Sequence, residues 1–87
     1  MEVLLAQGCR GQAVAVARGL TDLQPLRESS WALLLRSLGR AGRPAEAVRE
    51  YERCRRLLLA ELGVEPGPAL RRLNAALRSH RPAPVPG

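Results

Sequence analysis

The sequence predicts an all-α fold of antiparallel helical hairpins, about five helices with the first cut short. Three observations carry that prediction. Leu4, Gly8, Ala13, Val14 and Leu23 return as Leu38, Gly42, Ala47, Val48 and Leu57, each 34 residues later. A period of that length describes stacked helix pairs. The apolar content, 46% of 87 residues, is mostly Leu, Ala and Val; Trp31 and Tyr51 are the only aromatics. Leu and Ala are strong helix formers. Finally, Gly and Pro fall where helices would end and begin, with Gly just after a run and Pro just inside the next.

Taken in order, Met1 to Gln7 reads as the tail of a helix with Val3, Leu4 and Ala6 apolar. Gly8 and Gly11 bracket a turn. A second helix runs from about Gln12 to Leu23 with Ala13, Val16, Ala17, Leu20 and Leu23 on its apolar face. Pro25 stops it and suits the first turn of a third helix, about Leu26 to Arg40. Glu28 sits in that first turn, where a negative charge complements the helix dipole, and Trp31, Leu34, Leu35 and Leu38 form one stripe.

The link Ala41-Gly42-Arg43-Pro44 is short, so the helices it joins are antiparallel neighbours. The fourth helix runs from about Pro44 to Leu62, with Ala47, Val48, Tyr51, Cys54, Leu58 and Leu62 inward. Glu46–Arg49, Glu50–Arg53 and Glu52–Arg56 stand three or four residues apart, the spacing of a solvated ion-pair ladder. Gly63 and Pro66 end that helix, and Pro68 opens a fifth, to about His80, with Leu70, Leu73 and Leu77 inside. The expected core is Trp31, Leu34, Leu38, Ala47, Tyr51, Leu58, Leu62, Leu70, Leu73 and Leu77. Residues 1–80 form one helical domain, and the Pro-rich residues 81–87 are expected to be an extended, disordered tail.

Composition narrows the function. All 14 basic residues are Arg, and the formal net charge is +6. A basic surface attracts phosphate in a salt-sensitive way but reads no sequence, and GC-rich codon usage accounts for the Arg bias better than a nucleic-acid surface does. Arg71, Arg72, Arg78 and Arg81 lack the neighbouring aromatics that stack on single-stranded bases. Cys9 and Cys54 have no CxxC spacing, and the single His80 cannot complete a metal site with them. Cys54, on an apolar face, reads as a small hydrophobe. No phosphate-binding glycine loop and no nucleophile–base set is visible, so the chain is expected to be no enzyme and to need no cofactor or metal. The sequence holds neither a secretory signal nor an apolar run of membrane-spanning length, so a cytoplasmic location without membrane attachment is expected.

The spacing Trp31-x-x-Leu34-Leu35-x-x-Leu38, then Ala47-x-x-x-Tyr51, resembles the tetratricopeptide pattern. Leu35 stands where that pattern has Gly and Leu38 where it has Tyr; a bulky Leu35 should push a neighbouring helix outward. More specifically, Pro25-Leu26-Arg27-Glu28, then Gly39 through Ala47, Tyr51, Arg55 and above all Glu61-Leu62-Gly63-Val64-Glu65-Pro66-Gly67-Pro68-Ala69-Leu70 resemble the bacterial transcriptional activator domain of antibiotic-regulatory (SARP-type) activators of actinobacteria. The likeness covers about residues 3 to 80. In that family the domain follows an OmpR-like winged helix-turn-helix that binds DNA, and it supports oligomerisation, contacts within the regulator and transcriptional activation.

The resemblance thus implies an effector and oligomerisation module that acts by protein–protein contacts, with the winged DNA-binding domain absent from this chain. Its partner would be a second copy or the rest of a regulator, and DNA would be reached only through a linked or partner domain. The other reading is a stand-alone tetratricopeptide-like adaptor that grips a peptide between helices. Val3, Leu4, Arg27, Arg36 and Arg40 are the candidate partner contacts.

Overall fold

The computed structural model describes residues 2–79, with side chains for residues 11–79. Four helices and no strand are present among the described residues: α1 (Glu2–Leu23), α2 (Glu28–Arg40), α3 (Pro44–Leu62) and α4 (Pro68–Ser79). The fold is all-α. Helix α2 is the hub: it packs on α1, α3 and α4, while α3 also packs on α4.

The count is four rather than five because α1 runs without a break through Gly8 and Gly11. The sequence echo explains the difference. Gly8 matches Gly42, but the position matching Pro44 is Arg10. Pro44 has no N–H to continue a helix, and its ring would collide with the carbonyl of Arg40. Gly42, at φ 76°, therefore closes α2, and the Arg43 N–H donates back to the Leu38 carbonyl at 2.9 Å. Arg10 imposes no such veto. A glycine inside a helix costs only about 1 kcal/mol, so α1 continues.

Helix α2 starts at Glu28, two residues later than expected. Pro25 and Leu26 instead form a turn in which the Arg27 N–H donates to the Gln24 carbonyl at 3.1 Å. The core lies where α2 meets its neighbours. Trp31, Leu34, Leu35, Leu38, Ala47, Tyr51, Cys54, Leu58, Leu70 and Leu77 are buried, joined by Val14 and Ala17 from α1. Leu73 is partly buried against this cluster. Leu70, Leu73, Asn74 and Leu77 of α4 repeat the spacing of Trp31, Leu34, Leu35 and Leu38 of α2. Leu35 is fully buried, and the tight contact falls at Gly39, where an added Cβ would lie 2.9 Å from the Leu77 Cδ2.

Two expected core assignments are corrected. Leu62 is 54% exposed. Helix α3 has 19 residues against 13 in α2, so its last turn projects beyond the helix it packs on. The buried face of α1 is also rotated from the expected one. Val14, Ala17 and Thr21 face α2, while Ala13 is exposed, Val16 is 60% exposed and Leu23 is 79% exposed. Among the described residues the apolar packing partner of α1 is α2, with α3 reaching it through the Arg18 ion pairs, so one narrow apolar stripe suffices. The tail beyond Ser79, including His80, lies outside the described residues.

Candidate interaction site

Ion pairs tie α1 to α3. Arg18 of α1 reaches across to α3, donating from Nη1 to Glu50 at 3.0 Å and pairing also with Glu46. Glu46 accepts from Arg43 at 2.9 Å, and Glu50 accepts from Arg53 at 2.9 Å. Of the three ladder pairs expected from spacing, Glu50–Arg53 is present; Glu52 instead faces Arg55 at 3.6 Å. Glu50 is itself buried. A buried carboxylate needs partners to offset lost hydration, and the two arginines supply them.

A second tie joins α2 to the start of α4. The Glu28 carboxylate accepts the Gly67 N–H at 2.9 Å, and a Cβ at Gly67 would lie 3.0 Å from that oxygen. The carboxylate thus sits at the N-terminus of α2 and beside that of α4, where helix dipoles favour negative charge. This gives the Glu-Pro-Gly-Pro segment a physical role: Pro66 is buried, Gly67 gives Glu28 room, and Pro68 starts α4. Arg55 secures the same linker by donating to Glu65 at 3.0 Å. That hydrogen bond holds the Arg55 guanidinium above its ordinary pKa.

Arginines also edge two hollows along α2. An open hollow of about 390 Å³ lies between α2 and α4, lined by Arg36, Gly39, Arg40, Leu73, Ala76 and Leu77. A neighbouring hollow between α1 and α2 is bounded by Leu20, Gln24, Arg27, Ser29, Leu33 and Arg36. Arg36 belongs to both. The structure therefore brings the predicted Arg27, Arg36 and Arg40 onto one surface, all exposed. Val3 and Leu4 fall in α1, and their side chains lie outside the described residues.

Two further groups bear on chemistry. The Trp31 indole N–H donates to the Pro25 carbonyl at 2.7 Å, and the Arg53 guanidinium lies 5.5 Å from the ring centroid. Burial, with Glu28 a lesser contributor, pushes the Cys54 thiol up to about 12. Such a thiol is a poor nucleophile because the thiolate is the reactive form. Among the described residues no group of three or more His, Cys, Asp or Glu side chains could hold a metal. No described helix is long and apolar enough to cross a membrane.

Sequence reasoning missed the Arg18–Glu46–Glu50 cluster and the Glu28–Gly67 tie. Their partners are 28 to 39 positions apart, and no local spacing rule reaches so far.

The sequence model of the family described as the bacterial transcriptional activator domain matches residues 1–78. The chain is 43% identical over 83 residues to the regulatory protein AfsR of Streptomyces coelicolor, covering 95% of this chain and 8% of that protein. It is 37% identical over 82 residues to the transcriptional regulator RedD of the same species, covering 94% and 23%. It is 32% identical over 81 residues to the transcriptional regulatory protein EmbR of Mycobacterium tuberculosis, covering 93% and 21%. The chain thus spans less than a quarter of each of these relatives. No solved structure matches it. Matched over nearly its whole length, the chain belongs to the bacterial transcriptional activator domain family.

Proposed function

We propose that this chain is the effector and oligomerisation module of a SARP-type bacterial transcriptional regulator and works through protein–protein contacts. The observation that carries the reading is the surface along α2: while ion pairs tie α1 to α3, α2 borders apolar hollows edged by Arg27, Arg36 and Arg40. Helix surfaces of this kind bind other helices or peptides through shape and charge rather than reacting with them. The relatives' names, as regulators of transcription, support the same reading. On this view the module performs no reaction, requires no cofactor, and meets DNA only through a linked or partner domain. Its place of action is the cytoplasm, where the bacterial chromosome lies.

The test fuses the chain to an unrelated DNA-binding domain placed upstream of a reporter promoter. The fusion should change reporter transcription relative to the DNA-binding domain alone, and light scattering should record whether the fusion self-associates. A fusion that leaves transcription and assembly unchanged refutes the reading. Specific DNA binding by the chain itself, surviving raised salt, would refute it in another direction.

A further inference from the structure

We propose that the hollow between α2 and α4 is a docking groove for a short acidic amphipathic helix of a partner protein. The inference rests on the protein-contact reading above and names the partner's chemistry. Arg36 and Arg40 stand on one edge of the groove, one helical turn and about 6 Å apart along α2. Both are exposed, and neither has an acidic partner among the described residues. Meanwhile Glu46 and Glu50 are taken by Arg18, Arg43 and Arg53; Glu52 and Glu65 by Arg55; and Glu28 by the Gly67 N–H. Asp22 and Glu61, the other described acids, do not line the groove, so its edge carries one sign of charge.

The floor is apolar. Leu73 is only partly buried, Ala76 is exposed, and Gly39 adds no side chain above Leu77. At about 390 Å³ the hollow suits one or two aliphatic side chains. An occupant that meets both features carries two carboxylates one turn apart and an aliphatic stripe beside them. A helix offers that arrangement directly, since residues three and four apart share a face. Nucleic acid meets only half of it. Its phosphates suit the arginines, but a single strand would need aromatic side chains to stack its bases on, and the groove has none, while a duplex would leave the apolar floor unused.

The experiment uses the whole chain and designed helical peptides carrying Glu pairs one turn apart beside Leu residues. Matched peptides replace Glu with Gln, Leu with Ala, or Glu with Lys, and a short DNA duplex completes the set. Binding is followed by fluorescence anisotropy, with amide chemical shifts to locate the site. The Glu–Leu peptide should bind and move the signals of Gly39, Leu73 and Ala76. The double variant R36E/R40E should weaken it on the order of tenfold, and the Lys–Leu peptide should regain affinity for that variant. Ala76→Glu should weaken the Glu–Leu peptide with the arginines intact. Failure of the Glu–Leu peptide to bind, equal binding of the Gln peptide, or indifference to R36E/R40E overturns the proposal. Binding of the duplex through Arg36 and Arg40 without binding of the peptide overturns it in favour of nucleic acid. In the reporter fusion, R36E/R40E separates the two ideas. An active fusion indifferent to the double variant refutes the groove and spares the module reading; a fusion silent with the native arginines refutes the module reading itself.

Discussion

Replacing Trp31 tests the packing argument most directly. Its side chain is 1% exposed at the meeting of α2 with its neighbours. A tryptophan buries about 150–250 Å², worth about 4–6 kcal/mol at ~25 cal/mol per Å². Trp31→Ala keeps the β-carbon but leaves a cavity, so a loss of about 3–5 kcal/mol is expected. The indole hydrogen bond to the Pro25 carbonyl adds about 1 kcal/mol. A domain of this size is stable by only about 4–13 kcal/mol in total, so the variant should lose a large share of its stability. Trp31→Phe retains a ring and fills most of the space. It loses the hydrogen bond and some contact area, and should cost about 1–2 kcal/mol. Circular dichroism melts of the three proteins give the comparison. At about 4–8 °C per kcal/mol, Trp31→Ala should melt at least ~12 °C lower and Trp31→Phe roughly 4–16 °C lower. A Trp31→Ala protein melting within about 4 °C of the native one would show that Trp31 does not organise the core.

Three further outcomes are expected. The Asn74 Oδ1 is buried without a hydrogen-bond partner among the described residues, at the α4 position that repeats Leu35; Asn74→Leu should raise stability by about 1 kcal/mol, and a lower urea midpoint would contradict this. Gly63 closes α3 at φ 68°, so Gly63→Ala should lower stability by about 1–2 kcal/mol, and an unchanged melt would mean the turn rebuilds at no cost. Cys54 holds its proton more tightly in the fold than in the unfolded chain, as burial raises its pKa from 9.0 to about 12. Its contribution to stability is therefore complete below pH 9 and is lost as pH rises from 9 toward about 12. Tyr51, raised by burial and by nearby Glu52 and Glu65, acts in the same direction. Urea midpoints should fall over this alkaline range, less steeply in Cys54→Ala, and Cys54 should resist thiol reagents at pH ~8 until denaturant is added. Fast labelling of Cys54 in the folded chain, read in a Cys9→Ser background, would refute its burial.

The sequence by itself determined the helical class, the hairpin at Gly42–Pro44 and the buried stripe of α2. Those are local matters: periodicity reports which face is apolar, and Gly followed by Pro forces a turn wherever it stands. It misjudged Gly8 and Gly11 because glycine alone permits a break, whereas proline compels one. Tertiary structure decided which apolar stripe of α1 is covered, since that depends on how many helices pack against it. It left Leu62 uncovered because a helix longer than its neighbour runs out of partners. It also decided the electrostatics. Spacing along α3 suggested that glutamates pair with arginines of the same helix, yet Glu46 and Glu50 also bind Arg18 on α1. Spacing shows only which charges can meet within one helix; folding sets which of them meet across helices, and so which arginines are left to face a partner.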